Sequence, residues 1–171
     1  NLDYEKKIDL HQAFLITSLS WISVAIFGSL PFFFSNLNLS FTDSFFESMS
    51  GITTTGSTII TNLENAPKSI LIWRALLQWL GGIGIIVMAI TLMPLMNVGG
   101  MLLFKVLNSD SSNEVLPSSK EISIKLILIY VSLTFACALS YKLFGMNKFD
   151  SLTHSMTTIA TGGFSNYNES I

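Results

Sequence analysis

Two stretches of this chain carry residue types from which ion chemistry could be built. Residues 50–58 read S-G-I-T-T-T-G-S-T and residues 160–165 read A-T-G-G-F-S. A cation entering a narrow pore sheds its water shell, so successive oxygens must replace it, and stacked backbone carbonyls do this without formal charge. Aiming consecutive carbonyls inward needs unusual backbone dihedrals, and glycine reaches positive φ at little steric cost. Gly56 and Gly163 meet that need, while threonine side chains can add hydroxyl oxygens or anchor the extended chain behind them. We read the two stretches as lining segments of one cation-selective pore.

Such segments must be held by something, and the composition says what. Half of the 171 residues are hydrophobic and only 12% are charged, which points to a membrane protein. No Asp, Glu, Lys or Arg occurs between Asp9 and Asp43, nor between Arg74 and Lys105. Each neutral run exceeds the roughly 20 residues that a membrane-spanning helix needs. Spans are predicted at about residues 12–34, 69–96 and 122–141. Between the first two, Ser40 with Asp43 three residues later forms a capping-box pattern, and Phe41, Phe45, Phe46 and Met49 follow at helical spacing. A helix over 41–51 is roughly 16 Å long, about half the hydrocarbon thickness. It cannot cross. A helix that enters and turns back is tolerated only where the returning backbone is buried in protein or lines a watery cavity. Residues 53–58 are that returning backbone.

Sliding the chain by 107 positions lays 147–165 over 40–58 without a gap and gives seven identities in nineteen positions: Asp43/Asp150, Ser44/Ser151, Ser48/Ser155, Met49/Met156, Ile52/Ile159, Thr54/Thr161 and Gly56/Gly163. The same offset lays the third span over the first. The expected architecture is therefore an all-α membrane protein built from repeated M1-P-M2 units: a span, a re-entrant pore helix with its filter loop, and a second span. Residues 1–105 form the first unit, with pore helix 41–51 and filter 53–58. Residues 106–121 connect, and 122–171 form a second unit cut off before its closing span, with pore helix 148–158 and filter 160–165. A pore of such units wants about four, and the chain starts without methionine at Asn1 and stops in a polar stretch at Ile171, so we read it as part of a longer protein. Each pore helix would aim its C-terminal carbonyls, with roughly half a negative charge, at the cation.

Other residues admit two readings. Glu47 and His154, equivalent in the repeat, either tune the outer pore electrostatically or are hydrogen-bonded behind the filter. Arg74 either pairs with an acid near the outer pore or snorkels. Asp43 and Asp150 are helix-start acids, and Gly81, Gly82 and Gly84 suit close helix packing. Asp150 and His154 lack a third ligand for a metal, and no nucleophile with a base stands in the spans, so no enzyme is expected. Cys137, the lone cysteine, reads as an inert apolar residue. A net charge of −2 without a basic cluster argues against nucleic acid. Five basic residues against four do not fix orientation.

The runs F-F-E-S-M-S-G-I-T-T-T-G-S-T, I-L-I-W-R-A-L-L-Q-W-L-G-G-I-G-I-I-V and H-S-M-T-T-I-A-T-G-G-F-S closely resemble the Trk/Ktr/HKT superfamily of potassium transporters, its TrkH branch in particular, over about residues 12–171. The resemblance implies a multi-pass potassium uptake protein of the bacterial inner membrane, with four M1-P-M2 repeats in one chain. It implies a homodimer in the lipid bilayer that works with a cytosolic nucleotide-binding regulatory subunit, and half-helices on the outer side. It makes Gly56 and Gly163 the filter glycines, with Thr54, Thr55, Thr161 and Gly162 supplying neighbouring carbonyls. Glycine rather than serine at both places favours potassium, which is the transported ion; no covalently bound cofactor is implied. The alternative from the residues alone is a non-conducting membrane scaffold subunit, in which Gly56 would be replaceable.

Overall fold

The computed structural model describes residues 10–92 and 119–169, and these are helical apart from connecting loops. The elements are α1 (Leu10–Phe33), α2 (Phe41–Ile52), a 3-10 turn (Leu63–Asn65), α3 (Lys68–Leu92), α4 (Ser119–Leu143) and α5 (Lys148–Ile159). The predicted polar start at 1–9, the end of the second span at 93–96 and most of the connector lie outside the described residues.

Length and composition sort the helices into two kinds. Helices α1, α3 and α4 contain apolar segments (His11–Phe33, Lys68–Ala89 and Ile122–Leu143) long enough to cross a membrane. The chain is an all-helical, multi-pass membrane protein. Phe27 on α1 and Phe135 on α4 are each 71% exposed, a side-chain distribution suited to lipid contact. Helices α2 and α5 have 12 residues each, about 18 Å, and fall short of the bilayer core.

The short helices start and stop for the same local reasons. Ser40 Oγ accepts from the Asp43 N–H at 3.1 Å and the Ser40 N–H donates to Asp43 Oδ2 at 3.3 Å, a complete capping box. In α5, Asn147 Oδ1 accepts from the Asp150 N–H at 2.9 Å. At the other end of α2 the Thr54 N–H donates to the Gly51 carbonyl (2.9 Å) and the Thr55 N–H to that of Ser50 (3.0 Å). Thr161 and Gly162 make the matching bonds to Thr158 (2.9 Å) and Thr157 (3.0 Å). This two-bond closure needs a left-handed residue after the helix. Thr54 (φ 57°) and Thr161 (φ 56°) supply it. A β-branched residue at positive φ is strained, and here it occurs twice at one offset.

Packing draws α2 against α1 and α3. A Cβ on Gly28 would lie 2.5 Å from Ser48 Oγ, so glycine lets α2 approach α1 without displacing the Ser48 side chain. At the end of α1 Phe33 and Phe34 are exposed, but Phe32 is fully buried. It belongs to a core with Ala25, Ile52, Ile60, Ile70 and Leu77, because the loop following α2 folds back over the end of α1.

Candidate functional site

The site is assembled on α3, which receives the ends of both short helices on adjacent residues. A Cβ on Gly81 would collide with the Ile52 carbonyl oxygen, and one on Gly82 would lie 3.2 Å from Ala160 Cα. Gly81 and Gly82 thus act in packing, and they let α2 and α5 converge. Beyond those helix ends the loops at 53–58 and 160–165 touch each other, for a Cβ on Gly56 would fall onto the Gly162 carbonyl. Gly56 and Gly163 both have φ of +80°. Gly56 stands on one side of this junction and Gly162 on the other. A concavity of about 540 Å³ opens above it, with Gly56, Thr58, Arg74, Gly163 and Ser165 among its walls.

Arg74 does not snorkel. It is 1% exposed and its Nε donates to Oε1 of the fully buried Glu47 at 2.7 Å. A buried carboxylate needs such partners. Glu47 has more: Thr58 Oγ1 donates to it at 2.9 Å and the Ile59 N–H at 3.0 Å. Glu47 therefore ties the chain returning from the first loop to the half-helix it left. Arg74 Nη1 also donates to the Ser165 carbonyl at 3.0 Å, and its guanidinium lies 4.1 Å from the Phe164 ring centre. One arginine on α3 thus holds both loops.

In the second loop the anchor shifts by one turn. His154, the counterpart of Glu47, stacks on Tyr167 at 6.4 Å and makes no tie to the loop, and its buried Nε2 has no partner among the described residues. Asp150 takes over. It is more than a helix-start acid: Asn166 Nδ2 donates to Oδ1 at 2.7 Å, Tyr167 Oη to Oδ2 at 2.6 Å, and Asn147 Nδ2 donates as well. Burial works to raise the Asp150 pKa, but these hydrogen bonds and the nearby His154 hold it below the usual carboxylate value. Burial lowers the His154 pKa against the opposing charge of Asp150. Among the described residues no cluster of three His, Cys, Asp or Glu side chains could hold a metal ion.

Sequence reasoning missed five contributors. Gln78, fully buried on α3, accepts the Phe164 N–H at 3.2 Å. Phe164 itself is buried, with its ring 3.4 Å from where a Gly51 Cβ would stand. Asn166 and Tyr167 complete the Asp150 network, while Asn168 Oδ1 accepts from the Leu63 N–H at 3.0 Å and joins the two loop tails. The available signals were Gln78 four residues after Arg74 in an apolar span, and Phe164 where the first unit has Ser57.

A helical membrane chain with paired, positive-φ glycine loops is the class this geometry defines. The chain belongs to the TrkH family, described as cation transport protein, whose family model matches residues 2–171. It is 46% identical over 155 residues to the Trk system potassium uptake protein TrkI of Halomonas elongata, covering 91% of this chain and 32% of that protein. It is 47% identical over 163 residues to the Trk system potassium uptake protein TrkH of Escherichia coli K12, covering 94% and 34% respectively. The crystal structure of the potassium transporter TrkH from Vibrio parahaemolyticus superimposes with a TM-score of 0.81 at 43% identity, covering 98% of this chain and 33% of that one. The chain thus spans about a third of the length of these relatives.

Proposed function

We propose that this chain supplies two of the four pore segments of a potassium uptake protein of the bacterial inner membrane. Its units are M1-P-M2 repeats: α1, α2 and α3 form the first, and α4 and α5 open the second. Carbonyls of Thr54, Thr55 and Gly56 in one loop and Thr161, Gly162 and Gly163 in the other replace the water shell of potassium. The C-terminal carbonyls of α2 and α5 converge on the same region and favour a cation there. Gly163 has nothing within 4 Å of its Cβ position among the described residues, which leaves space for a third unit to complete the ring. Glu47, Arg74 and His154 act behind the loops. The reading involves no catalytic step and no bound cofactor, and its setting is a homodimer in the bilayer with a cytosolic nucleotide-binding regulatory subunit.

One observation carries this reading: three positive-φ positions, Asn38, Thr54 and Gly56, recur 107 residues later at Gly145, Thr161 and Gly163. Ordinary turns have no reason to repeat strain at a fixed offset, and such strain clusters where function requires it. The potassium assignment draws on the names of the relatives. The test is growth at limiting potassium of an uptake-deficient bacterium carrying the full-length gene, with Gly56→Ser and Gly163→Ser beside wild type. Rescue by wild type that is lost or becomes sodium-sensitive in the serine variants supports the filter. A wild-type protein that reaches the membrane with its regulatory partner and still fails to rescue contradicts it.

A further inference from the structure

We infer that Gln78 is a positioning residue for ion selection: from α3 of the first unit it sets the place of the second unit's loop. This rests on the pore reading above. A carboxamide in the middle of an apolar span is costly to bury unless it is bonded, and Gln78 is fully buried. Its Oε1 accepts the Phe164 N–H at 3.2 Å, the amide directly after Gly163. A Cβ on Gly162 would lie 2.5 Å from Oε1 and 2.6 Å from Nε2, so the loop backbone rests on the amide with no room for a side chain. A Cβ on Gly56 would lie 3.4 Å from the same Nε2. One side chain therefore meets both loops at their junction.

The neighbouring rung explains why this contact positions the loop. Helical spacing of four residues puts Arg74 and Gln78 on one face of α3. Arg74 holds the Ser165 carbonyl and covers the Phe164 ring, so the two rungs grip consecutive residues. The bonds that continue α5 end at Gly162, and the Asp150 anchor begins at Asn166. Between those two fixed points the described hydrogen bonds on the loop backbone come from α3. The carbonyls on either side of Gly163 thus take their position from another unit's helix, and loss of the Gln78 acceptor frees the loop on the side facing the first unit.

The experiment uses the full-length protein in membrane vesicles and reads potassium uptake against sodium uptake, with protein quantified in the membrane. Gln78→Met keeps the volume and removes the acceptor. It is expected to lower the potassium-over-sodium preference about five- to tenfold, the equilibrium factor of one neutral hydrogen bond. Gln78→Glu keeps an acceptor for the Phe164 N–H and is expected to return the preference toward wild type. An unchanged preference in Gln78→Met overturns the inference, as does an equal loss of preference in both variants. Should Gln78→Met not reach the membrane, Gly162→Ala reads the same contact from the loop. Its loss of preference and that of Gln78→Ser must be non-additive in the double variant, because both act through one contact, and independent effects overturn the inference. A wild-type protein without potassium preference would instead overturn the pore reading.

Discussion

Replacing Gly56 by alanine strains the loop in two ways, and the structure separates them. At φ of +80° a side chain adds roughly 1–2 kcal/mol of backbone strain. The new methyl would also fall onto the Gly162 carbonyl oxygen and lie 3.0 Å from its carbon, where ordinary contact begins at 3.4 Å. That oxygen must retreat by more than 1 Å, and its neighbour is backbone, which cannot swing aside like a side chain. Misplacement of about 1 Å in a preorganised site costs on the order of a hundredfold in rate. Gly145→Ala is the internal control, because Gly145 has φ of +102° but nothing within 4 Å of its Cβ position among the described residues. Initial rubidium uptake by the full-length protein in vesicles, normalised to membrane protein, is expected to fall about a hundredfold or more in Gly56→Ala and to stay near wild type in Gly145→Ala. Uptake in Gly56→Ala equal to that of the control would refute the reasoning.

Three further outcomes follow from the packing and the buried charges. Arg74→Met leaves Glu47 buried without its cation and is expected to destabilise the full-length protein by about 3–5 kcal/mol, whereas adding Glu47→Gln recovers part of the loss; thermal unfolding in detergent checks both. Gly81→Ala drives a methyl into the Ile52 carbonyl and costs about 1–3 kcal/mol, but Gly84→Ala among the described residues meets only Trp21 at 3.8 Å and gains about 0.5–1 kcal/mol of helix preference, so their melting temperatures should move in opposite directions. His154 is depressed in the folded state by burial, so the unfolded chain binds the extra proton and stability falls as pH drops below the ordinary value of 6.5. His154→Phe should flatten that part of the stability profile, and an unchanged slope would locate the titration elsewhere.

The helices were legible because their signals are local. Uncharged runs, a serine or asparagine cap and an aspartate three residues on suffice to mark α1, α2 and α5, and the offset of 107 made the two glycine loops comparable before any coordinates. What holds the loops was not legible, since it comes from long-range pairing. Arg74 with Glu47 are 27 residues apart, and Gln78 with Phe164 are 86 apart. No spacing rule links such positions. The repeat itself misled at one point: it made Glu47 and His154 equivalent, while the second loop is anchored one turn earlier by Asp150. The left-handed threonines were equally hidden, because β-branched residues disfavour that conformation and only the two-bond helix ends impose it.

The carbonyl pathway is tested most directly by locating the ion. Anomalous diffraction from crystals of the full-length protein soaked in rubidium should place ion density between residues 54–56 and 161–163, with that density lost in Gly56→Ser. Rubidium density away from both loops, in protein that transports potassium, would contradict the assignment of these glycine turns as the selective path.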